Sequence, residues 1–236
     1  MDDPAQNIPA MESELTRLLV RRRSVRAYLD SPVPLADLQR MCRLARLAPS
    51  GANLQPGSFH VLTGDPLRAL TRALQGAIDA GQPQSREYSY FPDPMPPHLK
   101  ARQRAAGFAL YSALGIDRRD IAGRRAQFRR NYGFFGAPVG VVVTIRRDMG
   151  KGCFMDLGMS LMALLLAAED MGYGATGIGA LANYGPVVHR HLALPGDELV
   201  VCGVAIGRPD PQAPENGLRT AREDLPAFAS FRGFPG

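Results

Sequence analysis

The chain has 236 residues, of which 45% are hydrophobic and 21% charged, a balance typical of one globular domain with a sizeable core. Its formal net charge of +6 comes almost entirely from arginine and fits nucleic acid, an anionic substrate or a bound phosphate as partner. The arginines accompany no nucleic-acid motif, the three cysteines are scattered, and the longest apolar run, residues 157–168, is too short to span a bilayer.

The first ten residues have neither a basic region nor an apolar core, so we expect no signal peptide and a cytoplasmic location. Scattered cysteines fit a reducing compartment without disulfides. We therefore expect no nucleic-acid and no membrane partner.

The first half of the chain predicts one helix and one strand around a turn-rich loop. Apolar residues recur at three- and four-residue steps over 35–48, which predicts an amphipathic helix ending at Pro49. The loop "APSGANLQPGS" follows, and "FHVLTG" is typical of a short strand. Residues 81–100 are rich in proline and aromatics without a period, which predicts a long irregular loop or lid.

The second half predicts two buried strands and a central helix. An arginine-rich helix with a solvated basic face is expected over "AGRRAQFRRNYGFF". The β-branched run "APVGVVVTI" and the later "LVVCGVAIG" predict buried strands. Residues 156–171 are apolar almost all round, which predicts a central helix buried on every side. The tail after Pro209 has little core of its own and is expected to wrap another surface.

The stretch "GYGATGIGA", residues 172–180, has the glycine spacing of a dinucleotide-binding fingerprint, with Asp197 and Glu198 downstream as candidate ribose ligands. Its context contradicts that interpretation, because the fingerprint must follow a strand and open a helix. Here it follows the long helix, and the acidic pair precedes a strand. We expect a glycine-rich helix exit instead of a Rossmann site.

The N-terminal "RRRSVRAY" places three guanidinium groups and a hydroxyl within five residues, a suitable grip for a phosphate. A solvated basic helix end has the same spacing, so this stretch alone decides nothing. The four histidines (His60, His98, His189 and His191) are not spaced as metal ligands; His60 is expected on a strand and the others at the surface.

Combined with later stretches, this segment resembles the FMN-dependent nitroreductase family. An R-x-S-x-R stretch is followed about 25 residues later by A-P-S-x-x-N-x-Q-P. The resemblance continues through "FFGAPVGVVVTI", "DLGMSLMALLLAAEDMGYGATGIG", "LALPGDELVVCGVAIGRPD" and "NGLRTAREDLPAFASFRGF", and leaves out roughly residues 70–125. It is closest in pattern to reductases of small nitroaromatics such as nitrobenzoates.

The resemblance implies a fold and an assembly. The class is α+β, as a three-layer α/β sandwich with a central mixed sheet flanked by helices. One domain covers residues 1–236, with a variable insert at about 70–125. An intertwined homodimer with two FMN sites at its interface is implied, with a wrapping C-terminal tail of about 210–236.

It also implies site residues and an activity. The activity is FMN-dependent, NAD(P)H-driven reduction of nitroaromatics by a ping-pong cycle, without an acid–base residue and without a metal. Arg26 and Gly179 would tune the flavin, and Tyr88, Tyr90 and Phe91 are candidates for stacking on the substrate. The implied FMN-binding residues are Arg22, Arg23, Ser24, Arg26, Pro49, Ser50, Gly51, Asn53, Gln55, Gly177, Ile178, Gly179, Ala180, Arg219 and Arg222, with those from Pro49 to Gln55 supplied by the partner subunit.

Gly57 stands where many relatives have tryptophan, which leaves the fit of the substrate open. Three alternatives also stay open on the sequence. The same flavoenzyme could act on quinones, enones, free flavin or halogenated aromatics. The chain could bind flavin without turnover, or it could bind nucleic acid.

Overall fold

The computed structural model describes residues 13–85 and 87–234. Helices and strands alternate irregularly along these residues, which matches the expected α+β class. The helices are α1 (Glu14–Arg21), α2 (Leu35–Ala45), α3 (Gly64–Asp79), α4 (Pro97–Ala113), α5 (Ile121–Arg129), α6 (Lys151–Asp170) and α7 (Gly185–Leu192). The strands are β1 (Ser58–Thr63), β2 (Val139–Arg146), β3 (Gly174–Ile178) and β4 (Glu198–Gly207).

The four strands form one sheet in the order β1-β2-β4-β3, and each of the three pairings is antiparallel. The expected mixed sheet is therefore wrong for the described residues. The parallel contact that the structure shows is an isolated bridge between Ser24 and Ala175. The segment that contains Ser24 pairs with β3 at this one position and does not add a strand to the sheet.

Helices cover both faces of the sheet and make three layers, as expected. Side chains of β2 alternate between the faces: Val141 and Val143 pack with α2 and α6, whereas Val142 packs with α3 and α7. Since β2 and β4 lie in the middle of the sheet and are covered on both faces, they read as continuous apolar runs. Both predicted buried strands are confirmed.

The helix predicted over 156–171 exists as α6, but its expected burial on every side is wrong. Only 28% of its most apolar 18-residue window is buried, although by length and composition α6 could cross a membrane. Leu157 and Leu164 face the core, and Ser160 donates a hydrogen bond of 2.8 Å to the Ala45 carbonyl of α2. The opposite side, which includes Met155 and Met159, is exposed in the single chain. The sequence overestimates burial because α6 is apolar on both sides but packs on one.

The glycine-rich stretch 172–180 is also different from the expected helix exit. Residues Gly174–Ile178 form β3, the edge strand that pairs with β4, and a short 3₁₀ turn follows at Gly179–Tyr184. The irregular loop predicted over residues 81–100 is confirmed over 81–96, apart from Arg86, which lies outside the described residues. The prediction is wrong for residues 97–100, which form the first turn of α4.

Candidate functional site

Arginines from the two ends of the chain meet beside the C-terminal end of α6. Burial lowers the pKa of Arg22, and the charge of Arg222 lowers it further; Glu169 acts in the opposite direction, and Arg219 adds a smaller lowering. The Arg219 guanidinium also donates to the carbonyl of Val20, two residues before Arg22. Positive charges held this close favour a ligand with more than one negative charge, such as a phosphate group.

The side chain of Asn216 fastens the C-terminal tail to the extended segment 22–28. Its carbonyl oxygen accepts from the backbone N–H groups of Arg26 at 2.9 Å and Ala27 at 3.3 Å. Its amide group donates to the carbonyls of Ala27 at 2.8 Å and Asp210 at 3.0 Å. Asn216 is 3% exposed, so water does not compete for these bonds. The tail arginines are therefore held next to Arg22 by a buried amide three residues before Arg219.

An ion pair between Arg130 and the buried carboxylate of Glu215 supports the same junction. Glu215 is 5% exposed, and its Oε1 lies 3.2 Å from Nη1 of Arg130. The other terminal nitrogen of Arg130 donates to the Arg26 carbonyl at 2.9 Å. The sequence predicts a solvated face for the arginine-rich helix, and this is wrong for Arg130, because it neutralises a carboxylate that the tail buries. Its neighbour Arg129 forms an ion pair with Asp79 of α3.

The remaining members of the "RRRSVR" motif lie along the extended segment. Arg26 is half-buried. Burial lowers the pKa of its guanidinium, against the raising effects of Tyr28 and Glu215. Its Nη1 donates to the carbonyl of Ser24 at 3.2 Å. Arg23 lines a smaller cavity of about 370 Å³ on the side of the segment that carries Val25. The structure thus brings Arg22 together with the tail arginines, and Arg23 lines its cavity beside Glu169, at the same end of α6.

Strand β3 lies directly against this segment. The N–H of Val25 donates to the Ala175 carbonyl at 3.3 Å, beside the Ser24–Ala175 bridge. A Cβ atom on Gly174 would lie 2.5 Å from Cγ2 of Val25 and 2.9 Å from Cγ of Pro209. Glycine is therefore required at this position so that the two backbones can approach, and β3 joins the arginine motif to the predicted ring-binding residues that follow it.

At the end of β3, Gly179 and Ala180 open onto a cavity of about 730 Å³. The loop 80–96 forms the other wall, with Tyr90 and Phe91 at 4.8 Å between ring centroids. A Cβ atom on Gly179 would lie 3.0 Å from the Tyr90 ring. The cavity is of the size of small-molecule sites and is lined by aromatic rings on one side and by backbone on the other.

Tyr88 lines the same cavity but also anchors the loop. Its hydroxyl donates to the carbonyl of Val201 on β4, its ring lies 6.1 Å from that of Phe154, and burial raises its pKa. The backbone N–H of Ser85 donates to the Asn183 carbonyl at 2.7 Å. The loop is thus attached at its base, while Tyr90 and Phe91 are exposed beyond it.

The predicted loop 49–55 has an unusual backbone. Ala52, Asn53 and Gln55 have φ of 49°, 57° and 48°, in the left-handed region that residues with a Cβ seldom adopt. The Ser50 hydroxyl accepts from the Gln55 N–H at 2.9 Å, and Pro49 is exposed at the start of the loop. Such strain often marks a binding segment.

The two groups of predicted site residues are far apart within one chain. Gly51 N–H donates to Oδ2 of Asp156 at 3.1 Å, near the start of α6, whereas Arg21 pairs with Glu169 at 2.9 Å near its end. Residues 156 and 169 are separated by about 20 Å at 1.5 Å per helical residue. The loop and the arginine cluster therefore do not form one site within a single subunit.

Gly57 has φ of 86°, and a Cβ there would lie 2.6 Å from Cδ1 of Leu157 and 3.0 Å from the Thr144 carbonyl oxygen. A tryptophan would not fit this backbone. Gly57 is therefore part of how this chain turns from the loop into β1.

No group of three His, Cys, Asp or Glu residues within the described ranges 13–85 and 87–234 is placed to hold a metal ion. His60 lies on β1 as predicted, with its Nε2 at 3.1 Å from Oγ1 of Thr144. His98 and His191 are exposed as expected, whereas His189 is half-buried.

The sequence does not predict the roles of Glu215, Asn216 and Arg130. Buried polar residues that bind backbone have no periodic signature. The available signal is position alone, since Glu215 and Asn216 directly precede the tail stretch that carries two arginines.

Residues 19–208 match the model of the nitroreductase family. The chain is 34% identical to a 4-nitrobenzoate reductase of Pseudomonas putida over 95% of this chain and 98% of the relative. It is 35% identical to a 4-nitrobenzoate reductase of Nocardioides sp. (strain LMS-CY), over 97% of this chain and 93% of the relative.

Solved structures show the same likeness. The FMN and NADPH-dependent nitroreductase NfnB from Sphigopyxis sp. strain HMH superposes with a TM-score of 0.91 at 38% identity, over 94% of this chain and all 100% of that one. The FMN-dependent NfnB of Mycobacterium smegmatis, solved in complex with NADPH, gives a TM-score of 0.88 at 26% identity, over 93% of this chain and 98% of that one.

We expect Asn216→Ala to lower the free energy of unfolding by about 2–3 kcal/mol, since it leaves buried backbone groups of the 26–27 segment without partners. Urea denaturation measures the change. Asn131→Ala is the matched control, because its amide donates to the Phe128 carbonyl within the same turn and should cost much less. Equal losses for the two variants would contradict the role of Asn216 as the fastening of the tail.

Proposed function

This chain belongs to the nitroreductase family, and on that basis we propose that it is an FMN-dependent NAD(P)H oxidoreductase that reduces nitroaromatic compounds. The observation that carries the proposal is the arginine cluster of Arg22, Arg219 and Arg222, joined through β3 to an aromatic-lined cavity at Gly179. The named activities of the relatives and the FMN and NADPH of the solved neighbours support it.

The donor set fits the phosphate of FMN. Burial and the charges of Arg222 and Arg219 lower the pKa of Arg22, with Glu169 as the opposing charge, and a dianion bound among the three guanidinium groups would be stabilised by them. Arg26 lies on the same extended segment as Arg22, and its half-buried positive charge would stabilise negative charge on the bound cofactor. When bound, FMN supplies reversible acceptance and donation of hydride.

The residues from Gly177 to Ala180 would let the cofactor ring lie close to the backbone. Gly177 has no neighbour within 4 Å of a Cβ position, and the atoms nearest to a Cβ on Gly179 belong to the Tyr90 ring. Small residues leave room for close approach and keep backbone N–H groups available as donors. We assign this stretch to the ring of the cofactor, and the arginine cluster to its phosphate.

The cavity under the loop 80–96 would bind both reactants in turn. Tyr90 and Phe91 offer rings for stacking on a flat nitroaromatic, and Asn131 and Asn183 are polar groups that line the same cavity. One cavity of about 730 Å³ that serves NAD(P)H and the acceptor favours ping-pong kinetics. Electron-poor aromatics without a carboxylate and nitrobenzoates are both members of the proposed substrate class.

We also propose that the enzyme is a homodimer. The outer side of α6 is apolar and exposed, with Met155 at 71% and Met159 at 42%. The loop that follows α2 also exposes Leu47 and Leu54, at 78% and 57%. Apolar surface of this extent is typical of an interface.

A two-fold axis would also solve the separation of the two half-sites. If α6 packs antiparallel against its copy, the Asp156 end of one helix lies beside the Glu169 end of the other. The loop 49–55 of one subunit then reaches the arginine cluster of its partner. The exposed tail rings of Phe228, Phe231 and Phe234 are further surface for a partner to cover. A cytoplasmic location agrees with this proposal and stays a prediction.

The activity is tested with the purified protein loaded with FMN. We expect NADPH or NADH to bleach the bound flavin rapidly without oxygen, and steady-state rates to be highest with nitroaromatics in a panel that includes quinones, enones and free flavin. A protein that takes up no FMN would refute the proposal. Faster turnover of quinones or enones by orders of magnitude would move the function to another acceptor class.

We expect Arg222→Ala to weaken FMN binding by about tenfold to a hundredfold, because it removes a charge-assisted phosphate contact. Fluorescence titration of the apoprotein measures the dissociation constant. Arg125→Ala is the control, because Arg125 is exposed on α5 and its substitution lowers the net charge by the same amount. A matching loss in the control would mean that overall charge, not a phosphate contact, is responsible.

We expect Met159→Arg to weaken the dimer, because two charges would be buried in the proposed α6 interface. Sedimentation velocity measures the dimer fraction, and FMN binding should fall in parallel. Ile121→Arg is the matched control, since Ile121 is 60% exposed on α5. A Met159→Arg protein that remains dimeric and binds FMN normally would contradict this interface.

A further inference from the structure

Arg46 binds the backbone of the loop that follows α2. Its Nη1 donates to the Gln55 carbonyl at 2.6 Å and reaches the Pro56 carbonyl at 3.4 Å. Its Nη2 donates to the Gly57 carbonyl at 2.8 Å. One planar group thus holds three successive carbonyls at the end of the loop, while its own Cα is fixed at the end of α2.

These three carbonyls belong to the end of a loop whose backbone conformation is unfavourable by itself. Ala52, Asn53 and Gln55 have positive φ, and Gly57 has φ of 86°. Left-handed residues with a Cβ persist only when the surrounding contacts hold them. The loop therefore needs a strong fixed point at its end.

The other contacts of the loop are made by neutral donors. Ser50 Oγ accepts from Gln55 N–H at 2.9 Å, and the Gly51 N–H donates to Asp156 at 3.1 Å. Arg46 supplies charged donors at the opposite end, so the loop has a charge-assisted bond at each end, one to the Asp156 carboxylate and one set from the Arg46 guanidinium. A charge-assisted bond is roughly twice as strong as a neutral one. Within the described residues, Arg46 is the side chain that ties α2 to the last residues of this loop.

We propose that Arg46 is a positioning residue for the cofactor site: it fixes Ser50, Gly51 and Asn53 in the shape that serves the FMN site of the partner subunit. This rests on the proposed function, because it takes the loop to contribute across the dimer. Arg46 itself contacts the backbone of its own loop and lies 6.0 Å from the ring centroid of Phe59 on β1. Its effect on the cofactor is therefore indirect.

Lysine cannot replace it. A guanidinium presents several donors in one plane and spans successive carbonyls, whereas an ammonium group is a single point on a flexible stem. Arg46→Lys therefore keeps the positive charge and removes the planar group that binds the three carbonyls. Arg46→Met keeps most of the apolar stem and removes both the charge and the hydrogen bonds.

The first experiment measures FMN dissociation constants and apoprotein melting temperatures for Arg46→Lys, Arg46→Met and the control Arg43→Met. Arg43 is exposed in the last turn of the same helix. We expect the Arg46 variants to bind FMN about tenfold more weakly and the control to bind as wild type. Binding within twofold of wild type in Arg46→Lys would overturn the proposal. If Arg46→Met fails to fold, Arg46→Lys is judged by the same criterion.

The second experiment separates action on the partner from a general structural effect. Arg46→Lys and Arg22→Ala subunits are co-expressed with different affinity tags, and the mixed dimer is isolated. If the loop serves the partner, one site combines an intact loop with an intact arginine cluster, and the other carries both defects. We expect one tightly bound FMN per mixed dimer, with weak binding in each variant homodimer.

Two weak sites in the mixed dimer would overturn the proposal, because they would mean that Arg46 acts within its own subunit. If the proposed function itself is wrong, the result is a different one: the wild-type protein would not bind FMN. Wild-type binding with a normal Arg46→Lys variant would refute only the role of Arg46.

Discussion

The crowding of Arg22, Arg219 and Arg222 is the interaction on which the site depends. Like charges beside each other are unfavourable until an anion binds, so the protein must hold them together by other means. It does so with neutral and paired groups next to the cluster: the Asn216 amide and the Glu215–Arg130 ion pair. Because buried bonds fix the backbone that carries these arginines, they cannot move apart. Their mutual repulsion is relieved when an anion binds between them.

Helix α6 sets the second constraint, because it acts as a spacer. It packs one side on the sheet, holds the loop 49–55 near its start through Asp156, and holds the arginine end through Glu169. Its length keeps the two halves of the site about 20 Å apart in one chain. The same helix leaves its other side apolar, so a partner that covers it would also bring the missing half. In the proposed dimer, assembly and cofactor binding would thus both depend on this one helix.

Much of the fold was accessible from local patterns. The period of 35–48 predicted α2, and the β-branched runs predicted β2 and β4, because each pattern follows from burial of that element alone. Strand β3 was missed, since "GATGI" has little β propensity and is held by pairing with β4 and by the close approach of Val25 to Gly174. The even hydrophobicity of α6 did not reveal that only one side meets the core.

By itself the sequence determined the identities and spacing that the chemistry needs: the arginine motif, the turn-rich loop after α2, and the small residues near Gly179. Resemblance then connected these stretches with FMN and nitroaromatics. Only the tertiary structure decided which of them meet. Asn216 joins Arg26 across 190 residues, and Arg46 reaches past its own loop to Gly57. In these contacts a side chain binds backbone groups. Every residue carries such groups, so the pattern of side chains along the chain does not predict which ones will be bound.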